Sequence, residues 1–332
     1  MRASVSAGTA GGSRVEEWVY YSGHRKGVSI SMGACGSWVP ALPGVLAWAV
    51  AAAVSCGPAL AAAGEAAWVV ELDSGRLLAV EGAAGADRPG PPGSLLKVFL
   101  FLHAADRSEL AKGALAVCGA SSARKPALDA CWYHPGHGTV GFAAGLALSC
   151  QQFANGLADR VDPEELRSLW RQLGLQIGAG RGPPARSKAW RAQATGHDSS
   201  IRSKPLELLA ALAACVNGGY LFRMDRSAPV LVRRLRWRPD AVEAVLAGLG
   251  RTAIEGTARG AGLAGCLAKT GTAPALDPYG RVDLRRTQGW AFACTTSGGR
   301  RIAVLACAEP GTGADAAVLA GRVLRSQGAV LR

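Results

Sequence analysis

Pro92-Gly93-Ser94-Leu95-Leu96-Lys97 opens an apolar stretch that runs from Ser94 to about Ala105. The break at Pro89-Gly90-Pro91-Pro92-Gly93 and the length of the run predict a buried helix with its N-terminus at Ser94. Residues three apart share a helix face, so the Lys97 amine can approach the Ser94 hydroxyl. A serine hydroxyl is a poor nucleophile until a base takes its proton. A lysine becomes that base when desolvation and a neighbouring positive charge lower its pKa, and the N–H groups at the helix start are able to stabilise an oxyanion. Taken alone, Ser-x-x-Lys also fits an N-cap serine beside a surface lysine.

Outward from this stretch the chain is strand-rich at both ends and helical between. Trp68-Val69-Val70-Glu71-Leu72 and Leu77-Leu78-Ala79-Val80, joined by Asp73-Ser74-Gly75-Arg76, read as a β-hairpin. Residues 140–250 carry helical patterns, broken by a Gly/Pro/Arg-rich loop near 178–200. Cys266 to Thr272, Trp290 to Thr296 and Ile302 to Ala308 read as strands, the last two joined by Ser297-Gly298-Gly299-Arg300, and a helix over Ala314 to Arg325 ends the pattern. The fold class is α+β: one antiparallel sheet built from distant segments and flanked by helices, with an all-helical subdomain beside it. The active groove should lie between the two.

Lys269-Thr270-Gly271-Thr272 ends the strand over Gly265-Cys266-Leu267-Ala268. Glycine there lets a ligand lie flat along a strand edge, while Lys269, Thr270 and Thr272 can bind a carboxylate. The plainer reading is a polar strand end turning into a loop. With Ser94-x-x-Lys97 it makes up the outer elements of the serine transpeptidase and β-lactamase signature. The middle element, Ser-x-Asn in that family, has its candidate in Ser149-Cys150-Gln151 after the apolar helix Phe142 to Leu148. Ser149 can relay a proton between Ser94, Lys97 and a leaving amine. Gln151 stands where the family has Asn or Asp, and its longer amide must meet a substrate amide differently.

The chain from about 67 to 328 resembles the transpeptidase domain of class B penicillin-binding proteins, of the elongation type. Pro92-Gly93-Ser94-Leu95-Leu96-Lys97 matches the family's P-G-S-x-x-K. Gly136-His137-Gly138-Thr139-Val140 running into Ala147-Leu148-Ser149-Cys150 matches its G-H-G stretch and middle motif. Pro205-Leu206-Glu207-Leu208-Leu209-Ala210 with Asn217-Gly218-Gly219, Gly256-Thr257-Ala258, Ala268-Lys269-Thr270-Gly271-Thr272-Ala273 and Gly289-Trp290-Ala291-Phe292 follow in the family's order. The resemblance implies a serine DD-transpeptidase acting on D-Ala-D-Ala stem peptides of peptidoglycan and acylated by β-lactams. It makes Ser94, Lys97, Ser149 and Lys269 catalytic and Gln151, Thr270, Gly271 and Thr272 substrate-binding. No cofactor is required for the chemistry. A non-catalytic penicillin-binding sensor or wall-synthesis scaffold is the alternative, motivated by Gln151 and by the absence of the family's large pedestal domain. A DD-carboxypeptidase or β-lactamase is a lesser one. A cell-wall synthesis or membrane partner is expected to replace the pedestal.

Nine cysteines are many for a bacterial cytosolic enzyme and point to an oxidising compartment or to metal binding. Cys118, Cys131, His137 and Cys150 all fall between the first and middle motifs, and three thiols with one imidazole suffice for tetrahedral zinc. Some elongation-type relatives resemble this in having a metal beside the active site at the G-H-G histidine and the middle residue of the Ser-x-Asn motif. The alternative is a Cys118–Cys131 disulfide with Cys150 free. His134 is a competing ligand or a surface histidine, and Cys215, Cys266, Cys294 and Cys307 sit in apolar runs as core residues.

Residues 1–63 read as a signal peptide or membrane-targeting segment. Arg14, Arg25 and Lys26 precede an apolar run over Val45 to Val54, and the small residues Ala59 to Ala63 follow. A cleaved signal, a retained anchor and lipidation at Cys56 all stand, as does a start at Met32. Each places residues 64–332 outside the cytoplasm, in the periplasm or at the outer face of the cytoplasmic membrane. The net charge of +13 is scattered rather than blocked, and no aromatic-interleaved basic segment or nucleic-acid motif is present. Anionic wall and membrane surfaces, or plain solubility, account for it, and no nucleic-acid partner is expected.

Overall fold

Alternation of large and small apolar residues gives the sheet two unlike faces, and that difference places the site. A computed structural model of the chain describes residues 64–82, 88–121 and 130–328, so the targeting segment read over 1–63 lies outside the described residues. The expected hairpin forms as β1 (Glu65–Glu71) and β2 (Leu77–Gly82). A 3-10 turn (Gly93–Leu95) then leads into α1 (Leu96–Arg107), α2 (Glu109–Lys112), β3 (Leu115–Cys118) and β4 (Gly138–Gly141). The helical region runs through α3 (Phe142–Ala147), α4 (Gln151–Ala158), α5 (Pro163–Gln172), β5 (Gln176–Ile177), α6 (Lys188–Thr195) and β6 (Ile201–Arg202). It continues through α7 (Pro205–Ala214), β7 (Tyr220–Arg223), β8 (Val230–Arg234) and α8 (Pro239–Ile254). The chain returns to strands in β9 (Leu267–Leu276), β10 (Val282–Ser297) and β11 (Arg300–Ala308), followed by α9 (Gly313–Ser326).

The five long strands are antiparallel throughout, in the order β2-β1-β11-β10-β9. Successive side chains point to opposite faces of a strand. Trp68 and Val70 of β1, Trp290 and Phe292 of β10, and Leu305 of β11 pack in one core with α1 and the helical region. Ala67, Val69, Ala291, Ala293, Val304 and Ala306 face the other way, where the alanine-rich side of α9 covers them. Small residues on this second face let α9 lie close, and at Gly289 an added Cβ would stand 1.9 Å from the Thr312 carbonyl oxygen.

α1 is apolar on every side because it runs between the sheet and the helices. Leu96, Val98, Phe99, Leu100, Phe101 and Leu102 are at most 1% exposed, each contributing roughly 1.5–3 kcal/mol of transfer free energy. The helical side is fixed locally as well. Asp162 caps α5 by accepting from the Glu164 and Glu165 N–H groups, with Pro163 at the first helical position.

Two readings of strand limits change. The strand carrying Lys269-Thr270-Gly271-Thr272 does not stop there but continues to Leu276. β9 is an edge strand, so the missing N–H of Pro274 costs no ladder bond on its open side, and Gly271 is a close approach rather than a break. β10 begins at Val282, well before Trp290, because its polar, exposed first half pairs with the end of β9 across a register shift between Asp283 and Thr287.

Candidate active site

Ser94 is presented by the 3-10 turn just ahead of α1, half-buried, with Pro92 and Gly93 wedged against the edge strand β9. The indole Nε1 of Trp290 donates to the Pro91 carbonyl at 3.2 Å and pins this approach. Glycines make the contact close. A Cβ on Gly271 would lie 2.8 Å from Pro92 O and 3.2 Å from Ser94 N, and one on Gly93 would lie 2.7 Å from Thr272 O and 3.2 Å from Thr272 N. Gly93 also has φ of +59°, where a side chain is strained. The backbones of Ser94 and Thr272 therefore face each other across the groove.

Lys97, the second residue of α1 and three residues beyond Ser94, is 1% exposed, and Lys269 is fully buried. Both reach the same hydroxyl. Lys97 Nζ donates to Ser149 O at 2.9 Å and lies 3.4 Å from Ser149 Oγ, while Lys269 Nζ donates to Ser149 Oγ at 3.0 Å and to Thr270 O at 2.8 Å. The bonded oxygens are neutral, so burial dominates the charge state. Desolvation lowers the Lys97 pKa to about 8, opposed in part by the Cys131 and Cys150 thiols. Desolvation and then the Lys97 charge hold Lys269 well below the ordinary lysine range.

Ser149 has φ of +50°, in the left-handed region, which costs a non-glycine residue roughly 1 kcal/mol or more. The turn between α3 and α4 enforces it through Ser149 N–H to Leu146 O and Cys150 N–H to Gly145 O at 3.1 and 2.8 Å. Thr257 N–H donates to Ala147 O at 3.2 Å, and at Gly256 a Cβ would stand 2.2 Å from that same oxygen. The Gly256-Thr257-Ala258 segment thus braces the turn. Thr257 Oγ1 also accepts from Thr270 Oγ1 at 2.5 Å, a pairing that its place in the sequence does not reveal.

The remaining residues singled out for binding divide. Gly271 lies against Ser94 and Thr270 against Thr257. Thr272 gives its backbone to the groove, while its hydroxyl oxygen accepts from Gly313 N–H at the start of α9, 2.9 Å away. Gln151 is 1% exposed, and its carboxamide is turned inward. Its Nε2 donates to Asn155 Oδ1 at 2.9 Å and to Thr195 Oγ1 at 2.8 Å, and its buried Oε1 has no partner.

The Thr195-Gly196-His197 loop is a part of the groove that sequence reasoning missed. Gly196 closes α6 with φ of +79°, and an added Cβ would stand 1.9 Å from Gly93 O, so only glycine lets this loop meet the Ser94 turn. The Thr195 hydroxyl donates to Arg191 O at 2.7 Å, so its 3.2 Å contact with His197 Nδ1 is a donation from the ring. His197 keeps an exposed surface, yet the dense surroundings and the Lys97 charge pull its pKa down to about 4. The imidazole is neutral, with Nε2 unprotonated. The glycine after a helix was the available signal.

Beside the middle motif, Cys118, Cys131, His137 and Cys150 converge, with ligand atoms all within 4.8 Å of one another. His137 Nδ1 is 3.5 Å from Cys118 Sγ and 3.4 Å from Cys131 Sγ, and Gln151 N–H donates to Cys131 Sγ at 3.4 Å. The Cys150 thiol and the backbone donors push the Cys131 pKa down to about 4, while the Cys150 thiol is pushed up in turn. Three sulfurs, one imidazole and an N–H aimed at a thiolate fit a tetrahedral zinc ion. The seven cysteines among the described residues are unpaired and buried, including Cys118 and Cys131. Cys215, Cys266, Cys294 and Cys307 lie in the two cores as expected. His134 is exposed and contacts Ser121 Oγ, away from the cluster.

A family model described as the penicillin binding protein transpeptidase domain matches residues 66–326. Among solved structures, the chain is similar to the apo TP domain of penicillin-binding protein 3 from Burkholderia pseudomallei (18% identity, TM-score 0.62, 79% of this chain and 87% of that one). It is similar also to the D,D-transpeptidase domain of a peptidoglycan glycosyltransferase from Eggerthella lenta (16%, 0.63, 81% and 78%). A third similar chain belongs to the complex between penicillin-binding protein PBP2 and MreC from Helicobacter pylori (16%, 0.60, 80% and 60%). At these identities the solved structures show the fold. No curated protein matches.

Proposed function

The chain belongs to the penicillin-binding-protein transpeptidase domain family, and from that premise we propose that it is a serine D,D-transpeptidase working on D-Ala-D-Ala stem peptides of peptidoglycan. The observation that carries the reading is the Ser149 hydroxyl, set between Lys97 and Lys269 from segments 52 and 120 residues away in the chain. Lys97 Nζ, uncharged, takes the Ser94 Oγ proton as Oγ forms a bond to the carbonyl carbon between the two D-alanines. The carbonyl π pair moves onto oxygen, which meets the backbone N–H groups of Ser94 and Thr272. Collapse breaks the C–N bond. The departing D-alanine nitrogen takes a proton from the Ser149 hydroxyl, which is resupplied from Lys97. Lys269 and the Thr272 hydroxyl, whose own hydrogen is free, hold the terminal carboxylate; Thr270 joins once its hydroxyl leaves Thr257, and Gln151 once its carboxamide leaves Asn155 and Thr195. An acceptor amine then attacks the ester, returns its proton through the same groups and frees Ser94. A β-lactam mimics the dipeptide, and opening of its ring leaves an ester on Ser94.

Cys118, Cys131, His137 and Cys150 are assigned to a structural zinc ion. When bound, it supplies a cross-link that ties β3 and the loop before β4 to the middle motif. Residues 1–63 direct export, and the domain works in the periplasm or at the outer face of the membrane with a wall-synthesis partner. The full chain, incubated with a fluorescent penicillin, should form a covalent adduct that is lost in Ser94→Ala. A folded wild-type protein that takes no label refutes the catalytic reading and leaves a scaffold.

A further inference from the structure

Between Cys131 and His137 the chain reads Trp132-Tyr133-His134-Pro135-Gly136, and both aromatic rings stand at the surface. Trp132 is 56% exposed and Tyr133 43%. Neither ring is loose. Trp132 Nε1 donates to Leu148 O at 2.9 Å, which fixes the indole by one edge to the residue preceding Ser149. Its ring centroid is 5.8 Å from Tyr133 and 5.6 Å, edge-on, from His137. The Tyr133 ring stacks on His137 with centroids 5.2 Å apart. Two large aromatic surfaces are thus immobilised, open to solvent, and anchored one residue from the hydroxyl shared by Lys97 and Lys269.

Burial normally claims such rings, and an indole whose polar N–H is already bonded inward offers an apolar ring surface outward. The chemistry around them narrows the ligand. Residues 131–141 contain no Asp, Glu, Lys or Arg, so the segment that carries the two rings brings no charged side chain of its own with which to select the carboxylates of a stem peptide. The exposed Gly138 and Thr139 beside it offer neutral polar groups. A rigid aromatic pair with neutral polar neighbours fits the flat C–H face of a pyranose ring.

We propose that Trp132 and Tyr133 form a platform for the amino-sugar rings of the glycan strand, adjacent to the groove where the stem peptide meets Ser94. The proposal rests on the peptidoglycan reading above, and its test is separable from it. Peptide-free glycan strands, released from peptidoglycan by an amidase, are titrated against the full-length chain. Hydroxyl-radical footprinting of the wild type with and without strands then reads each ring directly. Saturable binding that protects Trp132 and Tyr133 is expected, and Trp132→Ala should weaken binding by at least about tenfold. Where Trp132→Ala fails to fold, Tyr133→Ala and the wild-type footprint decide by the same criterion. Absence of binding, binding that leaves both rings unprotected, or variants that bind like the wild type overturn the platform. Strand binding in a wild-type protein that takes no penicillin label keeps the platform and removes the transpeptidase reading, and the converse pattern does the opposite.

Discussion

Replacing Gly271 by Ala tests whether contact between the edge strand and the Ser94 turn sets catalysis. The added methyl would lie 2.8 Å from Pro92 O, 3.1 Å from Leu95 N and 3.2 Å from Ser94 N, and all three are backbone atoms. Ordinary non-bonded separations begin at about 3.5 Å, so the turn must retreat from β9 by roughly 0.5–0.7 Å. Overpacking of this kind costs about 1–3 kcal/mol, which a domain of this size survives. Acylation is hit harder, because displacement approaching 1 Å at a reacting group costs on the order of 10²-fold. The same retreat separates the Ser94 N–H from the Thr272 N–H. The assay is the second-order rate of fluorescent-penicillin labelling, with thermal unfolding run alongside. A melting temperature lowered by a few degrees and a rate down about 10²-fold are expected. A folded Gly271→Ala protein that labels within threefold of the wild type refutes the argument that this glycine is required for the approach.

The pH dependence of acylation should follow Lys97. Its pKa of about 8 leaves about a tenth of the protein with the free base at pH 7, so the labelling rate should climb about tenfold between pH 7 and 9 and then level; a rate flat across this range removes Lys97 as the base. The same lowering means that the folded protein holds fewer protons than the unfolded chain between about 8 and the ordinary lysine value of 10.5. The group's destabilising contribution is therefore complete below about 8 and is relieved as pH rises through this window, provided other groups are corrected for. The cysteine cluster should retain one zinc per chain by elemental analysis, and Cys131→Ala or a strong chelator should lower the melting temperature; metal-free protein melting unchanged would leave the four residues as packing alone.

Much of the site was legible because its signals are local. Ser94 and Lys97 stand three apart where an apolar run begins, and the apolar runs of β1, β10 and β11 were visible residue by residue. The hairpin at Asp73–Arg76 announced itself by turn chemistry. The end of the Lys269 strand was misplaced for an equally local reason. Gly271 and Pro274 look like breakers until it is known that β9 is an edge, open on the side that receives the Ser94 turn.

By itself the sequence determined the order and spacing of the motifs and which segments form strands or helices, since neighbours along the chain settle hydrogen-bonding periodicity and turn preference. The tertiary structure alone decided their state. It buries Lys97 and Lys269 around one hydroxyl, and burial sets their charge. It ties Gln151 to Thr195, sends the Thr272 hydroxyl to α9, and brings His197 and the Trp132–Tyr133 pair to the neighbourhood of the motifs. Desolvation and through-space contact depend on groups tens to hundreds of residues apart, and no local pattern in the chain encodes those distances.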